Sequence, residues 1–110
     1  MKARAILCLA LIFTGAVLAS AANVRTSWLM NCSECHGKDG RGRTPEGKRI
    51  KITDLSDKRV QASFTDEQAF RIIKRGLKDD DGPVMHPSDY RLTDDEIREL
   101  VQYLRKFPKR

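Results

Sequence analysis

The run Cys32-Ser33-Glu34-Cys35-His36 constrains this chain more than any other stretch of it. Two thiols three positions apart, at the end of a helix, can add across two vinyl groups on one edge of a porphyrin. The residue that follows them then offers its imidazole to the iron. C-x-x-C-H is for this reason the attachment signature of a c-type haem. Two other chemistries use C-x-x-C. A structural zinc site needs four ligands, usually from two such half-sites, and only Cys8 and His86 remain to complete one. A thiol redox pair of the thioredoxin kind needs a βαβ setting, which this sequence lacks. The expectation is one haem c, anchored covalently by Cys32 and Cys35 and ligated by His36.

The N-terminus agrees with that chemistry. Lys2 and Arg4 precede an apolar run from Ala5 to Leu18, and Ala19-Ser20-Ala21 forms a small-x-small cleavage site. Residues 1–21 read as a secretory signal peptide. The run is short of the roughly twenty apolar residues of a membrane span, so an uncleaved anchor is the lesser alternative. Cleavage near Ala21 would remove Cys8 and leave a single domain, residues 22–110, whose two cysteines the haem consumes. Export to the periplasm, or outside the cell, is expected, with no disulfide. A domain this small is marginal on its own core, and a covalently held apolar cofactor would staple it.

Periodicity and capping give a coarse reading of helix, loop, helix, loop, helix. Asn23 is placed to cap a first helix running to about Cys35, with Val24, Trp28 and Cys32 on one face. Gly37, Gly40, Gly42, Pro45 and Gly47 break any period, so Gly37–Asp54 reads as loop. Thr65-Asp66-Glu67-Gln68 is a capping box with Phe64 set to staple onto Ala69. Phe70, Ile73 and Leu77 follow at helical spacing and Gly76 is a stop signal. Thr93-Asp94-Asp95-Glu96 repeats the device, with Leu92 stapling onto Ile97. The last helix carries Ile97, Leu100, Val101 and Leu104, flanked by Tyr103 and Phe107, and Pro108 marks its end. No strand is expected; Ile50-Lys51-Ile52 is the nearest signal and is too short.

Taken together, these features resemble a class I cytochrome c over nearly all of residues 22–110. The closest likeness is to the small bacterial mono-haem members with C-x-x-C-H-G-x-x-G-x-G. The resemblance implies an all-α cytochrome c fold, three or more helices wrapped around one haem. It implies that the first and last helices meet through Trp28 on one and Tyr103 with Leu100 on the other. It also implies a distal methionine ligand shortly before the last helix. Met85 stands there, in Asp81-Gly82-Pro83-Val84-Met85-His86-Pro87, where two prolines disfavour helix. The family commonly has proline directly after that methionine; here His86 intervenes and is the alternative ligand. Met30 lies on the helix that delivers Cys32 and Met1 belongs to the leader. Pro45 is a candidate to offer its carbonyl to the free ring N–H of His36, which fixes tautomer and orientation. Ile50, Ile52, Leu55, Phe64, Phe70, Ile73 and Leu77 are the expected walls of the haem pocket.

A haem held by His36 and Met85 leaves no open coordination position for a substrate. The expected function is therefore one-electron transfer between a reductase or dehydrogenase and a terminal acceptor, rather than catalysis. Two alternatives are a haem subunit of a larger oxidoreductase and a haem enzyme or sensor with a labile sixth ligand. The net charge is +6, or +4 without Lys2 and Arg4. Its basic clusters are Lys38, Arg41, Arg43, Lys48, Arg49 and Lys51, then Lys74, Arg75 and Lys78, then Arg105 to Arg110. They favour redox partners with acidic docking surfaces, with Lys38, Lys74 and Lys78 as the steering residues. No aromatic residues interleave with the positive ones, which argues against nucleic acid. With no exposed apolar stripe in the pattern, a monomer is expected.

Overall fold

The computed structural model describes residues 23–109; the expected leader and its cleavage site lie outside them. Residues 23–31 are helical (α1), and after a turn at Cys32 a single further helical turn, α2, spans Ser33–His36. Asn23 is itself helical, so the cap expected there is not at that position. The order continues with α3 (Pro45–Arg49), α4 (Lys58–Ala62), α5 (Asp66–Arg75), β1 (Leu77–Asp79), β2 (Gly82–Met85) and α6 (Asp94–Arg105). No helix among the described residues is long and apolar enough to cross a membrane.

The two long helices begin where their caps place them. Thr65 and Gln68 exchange side-chain and backbone bonds at the start of α5, and Thr93 and Glu96 do the same at α6. Each pair satisfies two N–H groups that the first helical turn otherwise leaves bare, and two acidic residues in the first turn of α5 and three in that of α6 lie at the positive end of the helix dipole. Gly76 stops α5 at φ 78°. Leu77 therefore leaves the helix it was expected to extend and is exposed on β1.

Three elements depart from the loops expected of them. Thr44 caps α3 with Pro45 in the first turn, where a missing N–H costs nothing and the fixed φ already suits a helix. The Asp57 carboxylate caps α4 by accepting from the Arg59 amide. An antiparallel hairpin pairs Leu77 with Met85 and Asp79 with Gly82, with an irregularity between Leu77 and Lys78. Asp80 and Asp81 form its two-residue turn, and Gly82 opens β2 at φ 126°. The fold is mostly helical, with this hairpin added to the expected all-α pattern.

The core is small. Trp28, Ala69, Ile73, Ile97, Leu100, Val101, Leu104 and Phe107 are buried, with Ile97 and Leu100 fully so. Burying each of those two aliphatic side chains is worth about 2 kcal/mol. Helices α5 and α6 pack on each other, and α1 joins them through Trp28. Its ring lies 5.7 Å from Tyr103 and 5.0 Å, edge-on, from Phe107. Val24, Cys32, Leu55, Phe64, Phe70, Met85, Leu92 and Tyr103 form a half-buried belt around that core.

Candidate functional site

The local backbone explains why Cys32, Cys35 and His36 stand together. Helix α1 ends just before Cys32, whose amide still bonds to the Trp28 carbonyl at 2.9 Å, and His36 N–H donates to the Cys32 carbonyl at 2.9 Å. One hydroxyl then locks the following loop. Thr44 Oγ1 donates to the Cys35 carbonyl at 3.1 Å and accepts from the Gly47 amide at 2.9 Å, so the cap of α3 also clamps α2. Gly42 N–H closes onto the His36 carbonyl at 2.8 Å. At Gly40 the φ is +74° and a Cβ would sit 2.5 Å from the Phe107 ring. Only glycine combines that left-handed backbone with so close an approach.

The electrostatics of the three groups differ. Burial pushes the Cys32 thiol up to about 11, with the Arg91 guanidinium opposing part of that. Cys35 is also raised, by burial first and then by Glu46 and Glu34. Burial pushes His36 down to about 4, which keeps its ring neutral near pH 7, the form that ligates a metal. Its Nδ1 is buried without a hydrogen-bond partner. The contact expected from the Pro45 carbonyl is thus not made; Pro45 instead opens α3. Both described cysteines are free thiols.

Met85 ends β2, half-buried, and touches the same core cluster as Cys32. His86, one residue on, is exposed. Gly76 brings the two ends of the hairpin close: at φ 78° it lies so near that any Cβ would run into the Met85 carbonyl oxygen. Ser88 N–H then ties the following segment back to the Ile73 carbonyl at 3.1 Å. Of the expected walls, Ile73 is in the core, Leu55, Phe64 and Phe70 are in the belt, and Ile50 and Ile52 are half-buried. Leu77 is exposed. The hairpin that carries Met85 was not expected from the sequence. Arg91, whose charge reaches Cys32, gave no sequence signal.

These residues fit a haem. Cys32 and Met85 lie in the half-buried apolar belt, and Cys35 and a half-buried His36 follow Cys32 directly, which suits a large flat apolar ring carrying iron. A zinc knuckle does not fit: among the described residues no three His, Cys, Asp or Glu side chains gather to hold a metal ion.

Residues 21–108 match the sequence profile of the cytochrome c family. This chain belongs to the cytochrome c family. The cytochrome is also similar to solved structures. One, described as "KustC0563 c-type cytochrome", is 30% identical and superposes with a TM-score of 0.69, covering 77% of this chain and 96% of that one. A variant of that protein with one tyrosine replaced by phenylalanine gives a TM-score of 0.67 at 30% identity, over 76% and 96% of the two chains. No curated protein sequence matches it significantly. Membership brings a covalently attached haem c, for which Cys32 and Cys35 supply the signature, and the role of electron carrier.

Proposed function

We propose that this cytochrome is an exported mono-haem electron carrier in which Cys32 and Cys35 anchor the haem, His36 is the proximal ligand and Met85 the distal one. The observation that carries the reading is the contrast between two neighbours. Met85 is half-buried against the cluster that Cys32 touches, whereas His86 is exposed. When bound, the haem iron supplies a one-electron couple between ferrous and ferric states.

The chain's own residues set the conditions for that couple. His36 is held neutral by burial, so its lone pair is available without loss of a proton. A thioether from Met85 favours ferrous iron more than a second imidazole would, and Leu55, Phe64 and Phe70 exclude water, which disfavours the extra charge of the ferric state. Both effects raise the potential. Were His36 and Met85 both to hold the iron, no position would be left for a substrate, which supports a carrier rather than an enzyme.

The steering surface needs one revision from the sequence reading. Lys74 is engaged with Asp94 at 2.8 Å and lies 5.8 Å from the Phe70 ring centre, so it is a structural cation. Arg105 is likewise occupied within the fold. Lys38, Lys48, Lys51 and Lys78 are exposed and are the better candidates to meet an acidic redox partner. The test is an absorption spectrum of the purified holoprotein with and without carbon monoxide, beside a pyridine haemochrome assay. A carrier gives one haem c per chain and a ferrous spectrum that carbon monoxide leaves unchanged. Rapid carbon monoxide binding would instead support an enzyme or sensor with a labile sixth ligand.

A further inference from the structure

One buried polar network has no part in attachment or ligation. Gln61, on α4, is buried, and its amide nitrogen donates both to the Leu55 carbonyl and, at 3.0 Å, to the Leu104 carbonyl. Its oxygen accepts from Arg105 Nη1 at 2.9 Å, and the same nitrogen reaches the Gln61 carbonyl. Arg105 Nη2 donates to the Phe64 carbonyl at 2.7 Å, and the guanidinium lies 4.2 Å from the Phe64 ring centre. The network is fully satisfied: two amide donors and one amide acceptor are all used. The Leu104 carbonyl lies in the last turn of α6 and the Gln61 carbonyl in that of α4, where the regular i→i+4 partners run out.

Its reach is what gives it a role. Leu55 N–H bonds to the Gly40 carbonyl at 2.8 Å, and Gly40 lies against Phe107, two residues beyond Arg105. A closed circuit therefore runs from the end of α6 through Gln61 and Leu55 to the loop after His36, and back through Phe107. We propose that Gln61 and Arg105 are a positioning pair that holds Leu55 and Phe64 as fixed walls of the haem pocket relative to His36, resting on the reading above that those residues face the haem. A half-satisfied buried network is worse than none, so removing either partner frees the whole wall rather than one contact.

The experiment uses the ferric holoprotein and two conservative variants, Gln61→Met and Arg105→Lys. Three quantities are measured: the midpoint potential, the rate at which added imidazole binds the iron, and hydrogen exchange at the Leu55 amide. Both variants are expected to lower the potential, because water reaches the pocket. Imidazole binding should speed up by about tenfold, on the order of one lost buried hydrogen bond, and exchange at Leu55 should rise with it. If Arg105→Lys fails to mature, Gln61→Met decides alone. A lower melting temperature with parental potential, imidazole rate and Leu55 exchange would overturn the proposal and leave the pair merely structural. Should the parent bind imidazole without an opening step, the distal-ligand reading fails. The potential and the Leu55 exchange then decide for or against the pair.

Discussion

The indole N–H of Trp28 donates to the carbonyl oxygen of Gly37 at 3.0 Å, across nine residues. That bond ties α1 to the residue directly after His36, while the same ring lies 5.7 Å from the imidazole and 5.0 Å from Phe107. Trp28 therefore fixes the proximal loop and the end of α6 at once. Trp28→Phe removes the shorter of the two bonds to that carbonyl, leaving it only the Gly40 N–H at 3.3 Å. It should destabilise the holoprotein by about 2 kcal/mol, read as a fall in the denaturation midpoint without a change of slope.

Haem retention should depend on both thiols. Cys32→Ala or Cys35→Ala leaves at most one thioether and a poorly assembled product, and His36→Ala should prevent maturation more completely. The measurement is acid–acetone extraction. A double Cys32→Ala, Cys35→Ala variant whose haem resisted extraction would refute the attachment site.

Distal ligation separates two neighbours. Met85→Ala should abolish the far-red charge-transfer band of an iron–thioether bond, lower the potential and admit carbon monoxide. His86→Ala should leave all three nearly intact, as befits an exposed side chain. A parent that lacks the band, with a potential sensitive only to His86, would mark a bis-histidine cytochrome instead.

Charge reversal should sort docking cations from structural ones. Lys38→Glu and Lys78→Glu should slow electron transfer to an acidic partner and flatten its salt dependence, as the Debye length falls from about 30 to about 10 Å. Lys74→Glu should act differently, weakening the packing of α5 on α6 by opposing Asp94, and should show first as a lower melting temperature. Rates indifferent to ionic strength in the parent would reduce Lys38 and Lys78 to ordinary solvated charges.

Acid should loosen the packing of α5 on α6. The side-chain bonds from Arg105 and then Gln102 hold the Asp66 carboxyl below its ordinary 3.8, and Lys74 holds Asp94 low in the same way. A carboxylate depressed in the folded state contributes stability above its unfolded value and loses it as pH falls through the folded one. Stability should therefore decline below about pH 4, with a shallower decline in Asp66→Asn, measured by chemical denaturation from pH 2 to pH 7. Both carboxylates are exposed, so the effect should shrink in high salt.

Attachment chemistry and both long helices were legible in the sequence, because each rests on neighbours a few residues apart. C-x-x-C-H is a local pattern, and the capping boxes at Thr65 and Thr93 are local exchanges of hydrogen bonds. The meeting of Trp28 with Tyr103 followed from the family resemblance. Short elements were not legible. Helices α3 and α4 are a turn or so long, too brief for a period to show, and Thr44-Pro45 lay hidden among glycines. The hairpin stands where prolines at 83 and 87 argued only against helix, and its pairing is a contact between segments.

What only the tertiary structure decided is how distant polar groups are used. Arg105 and Lys74 read as surface charge in the sequence, yet one binds Gln61, Phe64 and Asp66 and the other Asp94. The sequence marked His36 as a candidate ligand, but only the packed chain supplies the burial that lowers its pKa. A pattern of residue types determines which groups can react and where helices start. Which charges are free and which wall stays rigid depend on desolvation and on partners brought together by packing, quantities that no local spacing encodes.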